Sequence, residues 1–90
     1  MISRTVGVRN PLGIHARPAA LLVQGAAKFK ADIYLSKGEV LRINGKSIMG
    51  VMMLAAERGA EITIETKGED AAAAIEAVAE ILQSNFEGEI

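Results

Sequence analysis

At the start of the chain, Ile2, Val6 and Val8 share one parity and Ser3, Thr5 and Gly7 the other, with Arg4 interrupting the apolar side. A period of two predicts a strand. Asn10-Pro11-Leu12-Gly13 then marks a loop. The period changes after it. Leu22, Ala26 and Phe29 recur at i, i+4 and i+7, with Ala19 and Val23 beside them, which is one face of a helix. Alternation returns twice, first as Ala31, Ile33 and Leu35 against Asp32, Tyr34 and Ser36, then as Leu41 and Ile43 against Arg42 and Asn44. Lys37-Gly38 between them reads as the turn of a hairpin.

Asn44-Gly45 is itself a hairpin-turn pair, but the residues that follow are helical in period. Ile48, Val51, Met52 and Ala55 form one stripe, predicted to face the core, so Asn44-Gly45-Lys46 is a strand-to-helix loop with Ser47 as N-cap. Arg58-Gly59 is a helix stop. Ala60, Ile62 and Ile64 alternate with Glu61, Thr63 and Glu65 as a fourth strand. Glu69 and Asp70 put acid at the start of a last helix, where its dipole favours negative charge. Ile75, Val78, Ala79, Leu82 and Phe86 make that helix's buried stripe. The order is β-α-β-β-α-β-α. Helices with one apolar stripe and strands with one apolar face are satisfied together by a largely antiparallel sheet covered on one side, a two-layer α+β architecture.

Composition narrows the picture. The 90 residues, half of them apolar, suffice for a single domain spanning residues 1–90, and with only Phe29, Phe86 and Tyr34 as aromatics its core must be aliphatic. There is no cysteine, which removes disulfides and thiol chemistry and fits a reducing, cytoplasmic setting. The opening segment lacks the apolar run of a secretion signal, and no stretch approaches the ~18 apolar residues of a membrane helix. A formal net charge of −1 argues against nucleic-acid binding by bulk charge. The sheet also lacks paired exposed aromatics for stacking bases. One histidine with no cysteine makes a poor metal site, so neither a metal nor a cofactor is expected.

The lone histidine, His15, lies in Gly13-Ile14-His15-Ala16-Arg17-Pro18-Ala19. Pro18 fits only the first turn of a helix and disfavours helical angles in the residue before it. The helix therefore begins near Ala16 to Pro18, and His15 sits at or just before its N-terminus. Unpaired N–H groups and a partial positive charge there disfavour the imidazolium and favour an anion attached to the ring. The Arg17 guanidinium keeps its charge and matches phosphate oxygens in pairs. These mechanics describe a nitrogen that could carry a phosphoryl group. A plain capping or surface histidine satisfies the same spacing, and both readings stand on the residues alone. Ser47 caps a helix, and a phosphate on it would be tolerated by the same dipole. Met49 and Met53, at i and i+4 on a second stripe, either wrap the edge of the core or form a docking surface.

The segments "GIHARPAA" and "GKSIMGVMMLAA", at this separation, are similar to the histidine-site and serine-site signatures of the histidine-containing phosphocarrier family, HPr, of the bacterial phosphoenolpyruvate-dependent sugar phosphotransferase system. The resemblance covers nearly the whole chain. It implies an open-faced β-sandwich, a four-stranded antiparallel sheet with three helices on one face. It implies that His15 accepts a phosphoryl group on Nδ1 from enzyme I, which takes it from phosphoenolpyruvate, and passes it to sugar-specific IIA domains. Arg17 would neutralise the phosphate. Ser47 aligns with a serine that an ATP-dependent kinase modifies in some lineages, where its phosphate disfavours transfer from enzyme I and promotes partnership with a transcription regulator. A serine kinase or phosphorylase would then be a partner too. Ala16, Ala20, Ile48, Met49 and Met52 fall where the family docks its partners. The implied protein is a carrier and not an enzyme, monomeric, outside the membrane. Two neighbouring roles share these residues: a carrier in a nitrogen-related phosphotransfer branch, and a corepressor-type interaction protein acting through Ser47. The alanines after the leucine in "MMLAA" depart from the glycine many relatives carry there.

Overall fold

The computed structural model describes residues 1–9, 16–54, 57 and 59–84. Among them the order is β1 (Ile2–Gly7), α1 (Ala16–Ala26), β2 (Asp32–Lys37), β3 (Val40–Asn44), α2 (Ile48–Met53), β4 (Glu61–Lys67) and α3 (Ala71–Gln83). The strands form one antiparallel sheet in the spatial order β1-β4-β2-β3. Val6 pairs with Ile62 and Leu35 with Ile64, which puts the apolar parities of neighbouring strands on the same face. The opposite parity stays polar: Thr5 and Thr63 meet through their hydroxyls at 3.0 Å, and Arg42 lies over the Tyr34 ring, 4.4 Å from its centroid, while bonding Glu65. One face is therefore core and the other open, as the alternation predicted.

Helix α3 spans the core face, packing on β1, β4 and β2, while α1 lies against α3 and α2, and α2 reaches β3. Leu22, Ala26, Ile33, Leu35, Ile62, Ile64, Ile75, Val78 and Leu82 are buried together. The core is aliphatic, as the composition requires. Phe29 packs against its edge, and Phe86 lies outside the described residues. Arg4, which interrupts the apolar side of β1, reaches Glu76 on α3 and so keeps its charge at the rim of the layer. Among the described residues no helix is long and apolar enough to cross a membrane.

Three local expectations are corrected. Leu41 does not share the core side with Ile43. Arg42 adopts a φ of +54°, and the β2–β3 register shifts between Leu35 and Lys37. This bulge inserts one extra residue in β3, so Val40 and Ile43 pack on the core while Leu41 is 66% exposed. The hairpin turn falls one residue later than read, at Gly38-Glu39. Helix α2 ends at Met53, with Leu54 as its C-cap, instead of running to Arg58-Gly59. Arg58 lies outside the described residues. Gly59 serves the next strand: at φ +89° it donates its N–H to the Val8 carbonyl (3.0 Å), and Val8 returns a bond to Ala60 (2.8 Å).

Candidate functional site

Helix α1 begins at Ala16, within the predicted window, with Pro18 buried in its first turn and Arg17 exposed. Eleven residues of helix leave the usual unpaired N–H groups and partial positive charge at this end. His15, the residue before Ala16 in the chain, and Gly13 lie outside the described residues. Ala20 is half-buried on the same helix.

Helix α2 is built on its cap. Ser47 has extended backbone angles (φ −117°, ψ 120°), and its Oγ accepts a hydrogen bond from the Gly50 N–H at 3.1 Å. The hydroxyl is thus engaged in the role predicted for it, on a half-buried side chain. The loop before it is tied down too: Asn44 Oδ1 accepts from the Lys46 N–H at 2.9 Å, and the Ser47 N–H bonds the Asn44 carbonyl at 3.1 Å.

Six residues make a weak helix on propensity alone, so α2 depends on what it packs against. Its core contacts come from Val51 and Leu54, both fully buried. The predicted core stripe is therefore only partly right. Ile48 and Met52 are 46% and 43% exposed, while Ala55 lies outside the described residues. Met49 and Met53 are 77% and 64% exposed, which settles them as surface residues and not as wrapping of the core edge. Together the four form an apolar patch on α2, and α1, which carries Arg17 in its first turn, packs beside that helix. Gly50 explains the close seating: a Cβ there would lie 2.7 Å from Ile43 Cγ2 and 3.3 Å from the Asn44 carbonyl oxygen.

Two residues that the sequence assigned only to a loop and to a helix dipole hold these helices in place. Lys46 Nζ donates to the Phe29 carbonyl at 2.7 Å, linking the start of α2 to the segment that follows α1. Asp70, the N-cap residue of α3, makes no side-chain cap; its two carboxylate oxygens accept the Lys30 and Ala31 N–H groups at 2.9 and 2.8 Å. The Lys30 N–H bond holds the Asp70 carboxyl below the usual range, aided by the Ala31 N–H and the Lys46 charge and opposed by desolvation. The 28–31 segment is thus gripped from both α2 and α3. A Lys at Ser47 minus one and an acid before the last helix were visible signals, but only the folded chain brings them to the same loop. Among the described residues no group of three or more His, Cys, Asp or Glu side chains is placed to hold a metal ion.

Comparison with known proteins places this arrangement. Residues 2–84 match a family model described as the PTS HPr component phosphorylation site. The chain is 46% identical over 89 residues to the phosphocarrier protein HPr of Treponema pallidum, covering 99% of this chain and all of that one. It is 45% identical over 83 residues to the HPr-like protein Crh of Bacillus subtilis, covering 92% and 96%. Among solved structures it superposes on a phosphocarrier protein HPr from Bacillus anthracis with a TM-score of 0.86 and 48% identity, covering 91% of this chain and 96% of that one.

Proposed function

Since this chain belongs to the HPr phosphocarrier family, a component of the phosphotransferase system, we propose that it shuttles a phosphoryl group on His15 from phosphorylated enzyme I to sugar-specific IIA domains. In this reading the acceptor atom is His15 Nδ1. The free N–H groups at the start of α1 and the Arg17 guanidinium offset the charge that arrives with the phosphate. Ala16, Ala20, Ile48, Met49 and Met52 meet the partners. The observation that carries the reading is the apolar patch of α2, exposed beside the helix whose first turn bears Arg17. A carrier needs such a surface to exclude water while the group moves between proteins, and it needs the surface to be small so that each complex parts quickly. The protein acts as a cytoplasmic monomer, because one patch serves donor and acceptor in turn.

The test mixes the protein with enzyme I and labelled phosphoenolpyruvate. Acid-labile label on the wild-type chain and none on His15→Ala is expected. Labelling of the variant at the wild-type level would reject His15 as the acceptor. Gel filtration before and after labelling reads the oligomeric state.

The similarity to Crh favours one second reading, regulation through Ser47. Phosphate on Ser47 would add charge at the N-terminus of α2, beside the patch, and change which partner fits there. A serine kinase or phosphorylase and a transcription regulator are the partners this reading requires. Acid-stable label on Ser47 in cell extract, absent from Ser47→Ala, supports it.

A further inference from the structure

The chain has four methionines and none is in the core: Met1 and three within five residues of α2 are all exposed, whereas the core among the described residues is built from Ile, Leu, Val and Ala. Met49, Met52 and Met53 stand at i, i+3 and i+4, so their thioethers share one side of the helix. Val51 and Leu54, which hold α2 to the core, lie on the other side. The chain has neither cysteine nor tryptophan, so no thiol or indole competes with these sulfurs for an oxidant.

We propose that Met49, Met52 and Met53 are a reversible oxidation site, and that their conversion to sulfoxides by a peroxide switches off phosphoryl exchange while the fold persists. The inference rests on the carrier reading above, because it takes α2 as the docking surface. The chemistry needs a hydroperoxide and nothing else. The thioether sulfur attacks one peroxide oxygen, an S–O bond forms as the O–O bond breaks, and after a proton shift the second oxygen of hydrogen peroxide leaves as water. Sulfur loses two electrons and the peroxide gains them. Sulfoxide reductases, with a thiol as the electron source, run the repair.

The consequence follows from where the sulfurs sit. A sulfoxide is a strong hydrogen-bond acceptor, and three of them would have to be dried whenever a partner docks. Polar groups left without partners in an interface weaken it steeply, so transfer falls roughly tenfold or more. The groups that hold α2 contain no sulfur: Val51 and Leu54 in the core, and the Ser47 hydroxyl at the cap. The melting transition therefore survives oxidation.

The experiment treats the full chain with hydrogen peroxide, locates sulfoxides by peptide mass spectrometry, and measures the rate of phosphoryl uptake from enzyme I and phosphoenolpyruvate. A second protein carries Met49→Leu, Met52→Leu and Met53→Leu, which keep apolar volume and remove the thioethers. Each protein is compared with its own untreated sample. The expected result is a roughly tenfold slower wild type, an unmoved ratio for the triple variant, a retained melting transition, and recovery of the wild-type rate after sulfoxide reductase treatment. Wild-type protein oxidised at all three positions that still transfers at its untreated rate overturns the proposal. So does a triple variant that loses the same fraction, which would move the sensitive group elsewhere. Untreated protein that takes up no phosphoryl group overturns the carrier reading itself, and this inference with it.

Discussion

Replacing Gly50 by alanine sets two effects of similar size against each other, and the structure decides the sign. In a helix interior alanine is favoured over glycine by about 1 kcal/mol, so propensity alone makes Gly50→Ala stabilising. The added Cβ, however, would lie 2.7 Å from Ile43 Cγ2 and 3.3 Å from the Asn44 carbonyl oxygen. Carbon pairs settle at about 3.5–4.0 Å. Ile43 cannot simply swing its methyl aside, because Cγ2 sits on a branched Cβ whose rotamer is stiff. Asn44 O is backbone of β3. Relief must come from tilting α2 off the strand or forcing Ile43 from its rotamer, at the ~1–3 kcal/mol typical of overpacking. Gly50→Ala is therefore expected to lose about 1 kcal/mol net.

Equilibrium urea unfolding by circular dichroism, extrapolated linearly, measures the difference. The cause is isolated by a cycle with Ile43→Ala, which removes Cγ2. If the clash is responsible, the double variant is less destabilised than the sum of the singles by at least ~0.5 kcal/mol. A Gly50→Ala protein more stable than wild type, or strictly additive singles, would refute the close-approach argument.

Two further outcomes follow from named contacts. Ser47→Ala removes the bond to the Gly50 N–H and is expected to cost ~1 kcal/mol, whereas Ser47→Asp keeps a capping oxygen and stays near wild type, both read by the same urea titration. Asp70 has a folded-state pKa below its unfolded value, so its contribution is fully present above the ordinary aspartate range and fades as pH falls from that range through the depressed folded value; Asp70→Asn should flatten the acid limb of the stability–pH curve measured by thermal melts, and an unchanged limb would remove the carboxylate from that role.

The element order was readable because every element except the six-residue α2 is long enough to show its period against a single sheet face. The failures have physical causes that local pattern does not carry. One left-handed residue, Arg42, shifts the parity of everything before it in β3, so Leu41 turns to the open face although its spacing from Ile43 is two. In α2, apolar residues occupy almost every position over fewer than two turns, and periodicity cannot choose between the 48/51/52 stripe and the 51/54 pair that is in fact buried. Arg4 looked like a fault in β1 because its partner, Glu76, is 72 residues away. Asp70 read as dipole chemistry on its own helix, yet its carboxylate is spent on the α1–β2 segment. Of the candidate site, Ser47 as a cap was legible from type and spacing, whereas the spacing of Met49 and Met53 left core edge and surface open until the fold exposed both. The reading of His15 comes from its motif and from the helix start that follows it.

The arrangement also says why a chain this small can tolerate an exposed apolar patch. Its stability is concentrated where α3 crosses the sheet, with Ile75, Val78 and Leu82 against Ile33, Ile62 and Ile64, and Thr66, the one buried polar side chain among the described residues, bonded to the Ala71 carbonyl at 2.9 Å. Helix α2 contributes Val51 to that core, with its C-cap Leu54, and leaves Met49 and Met53 mostly exposed. Its position is set by short polar ties instead: Ser47 to Gly50, Lys46 to Phe29, and Asp70 to the loop that Lys46 also holds. On the carrier reading this division is what the chemistry requires. Partners of different shape must be met by one surface, which flexible methionines allow, while the helix ends that manage the phosphate charge stay fixed. A substitution that loosens Lys46 or Asp70 should then disturb transfer between proteins before it disturbs the core, because those ties orient α2 and α1 without being part of the layer that α3 makes with the sheet.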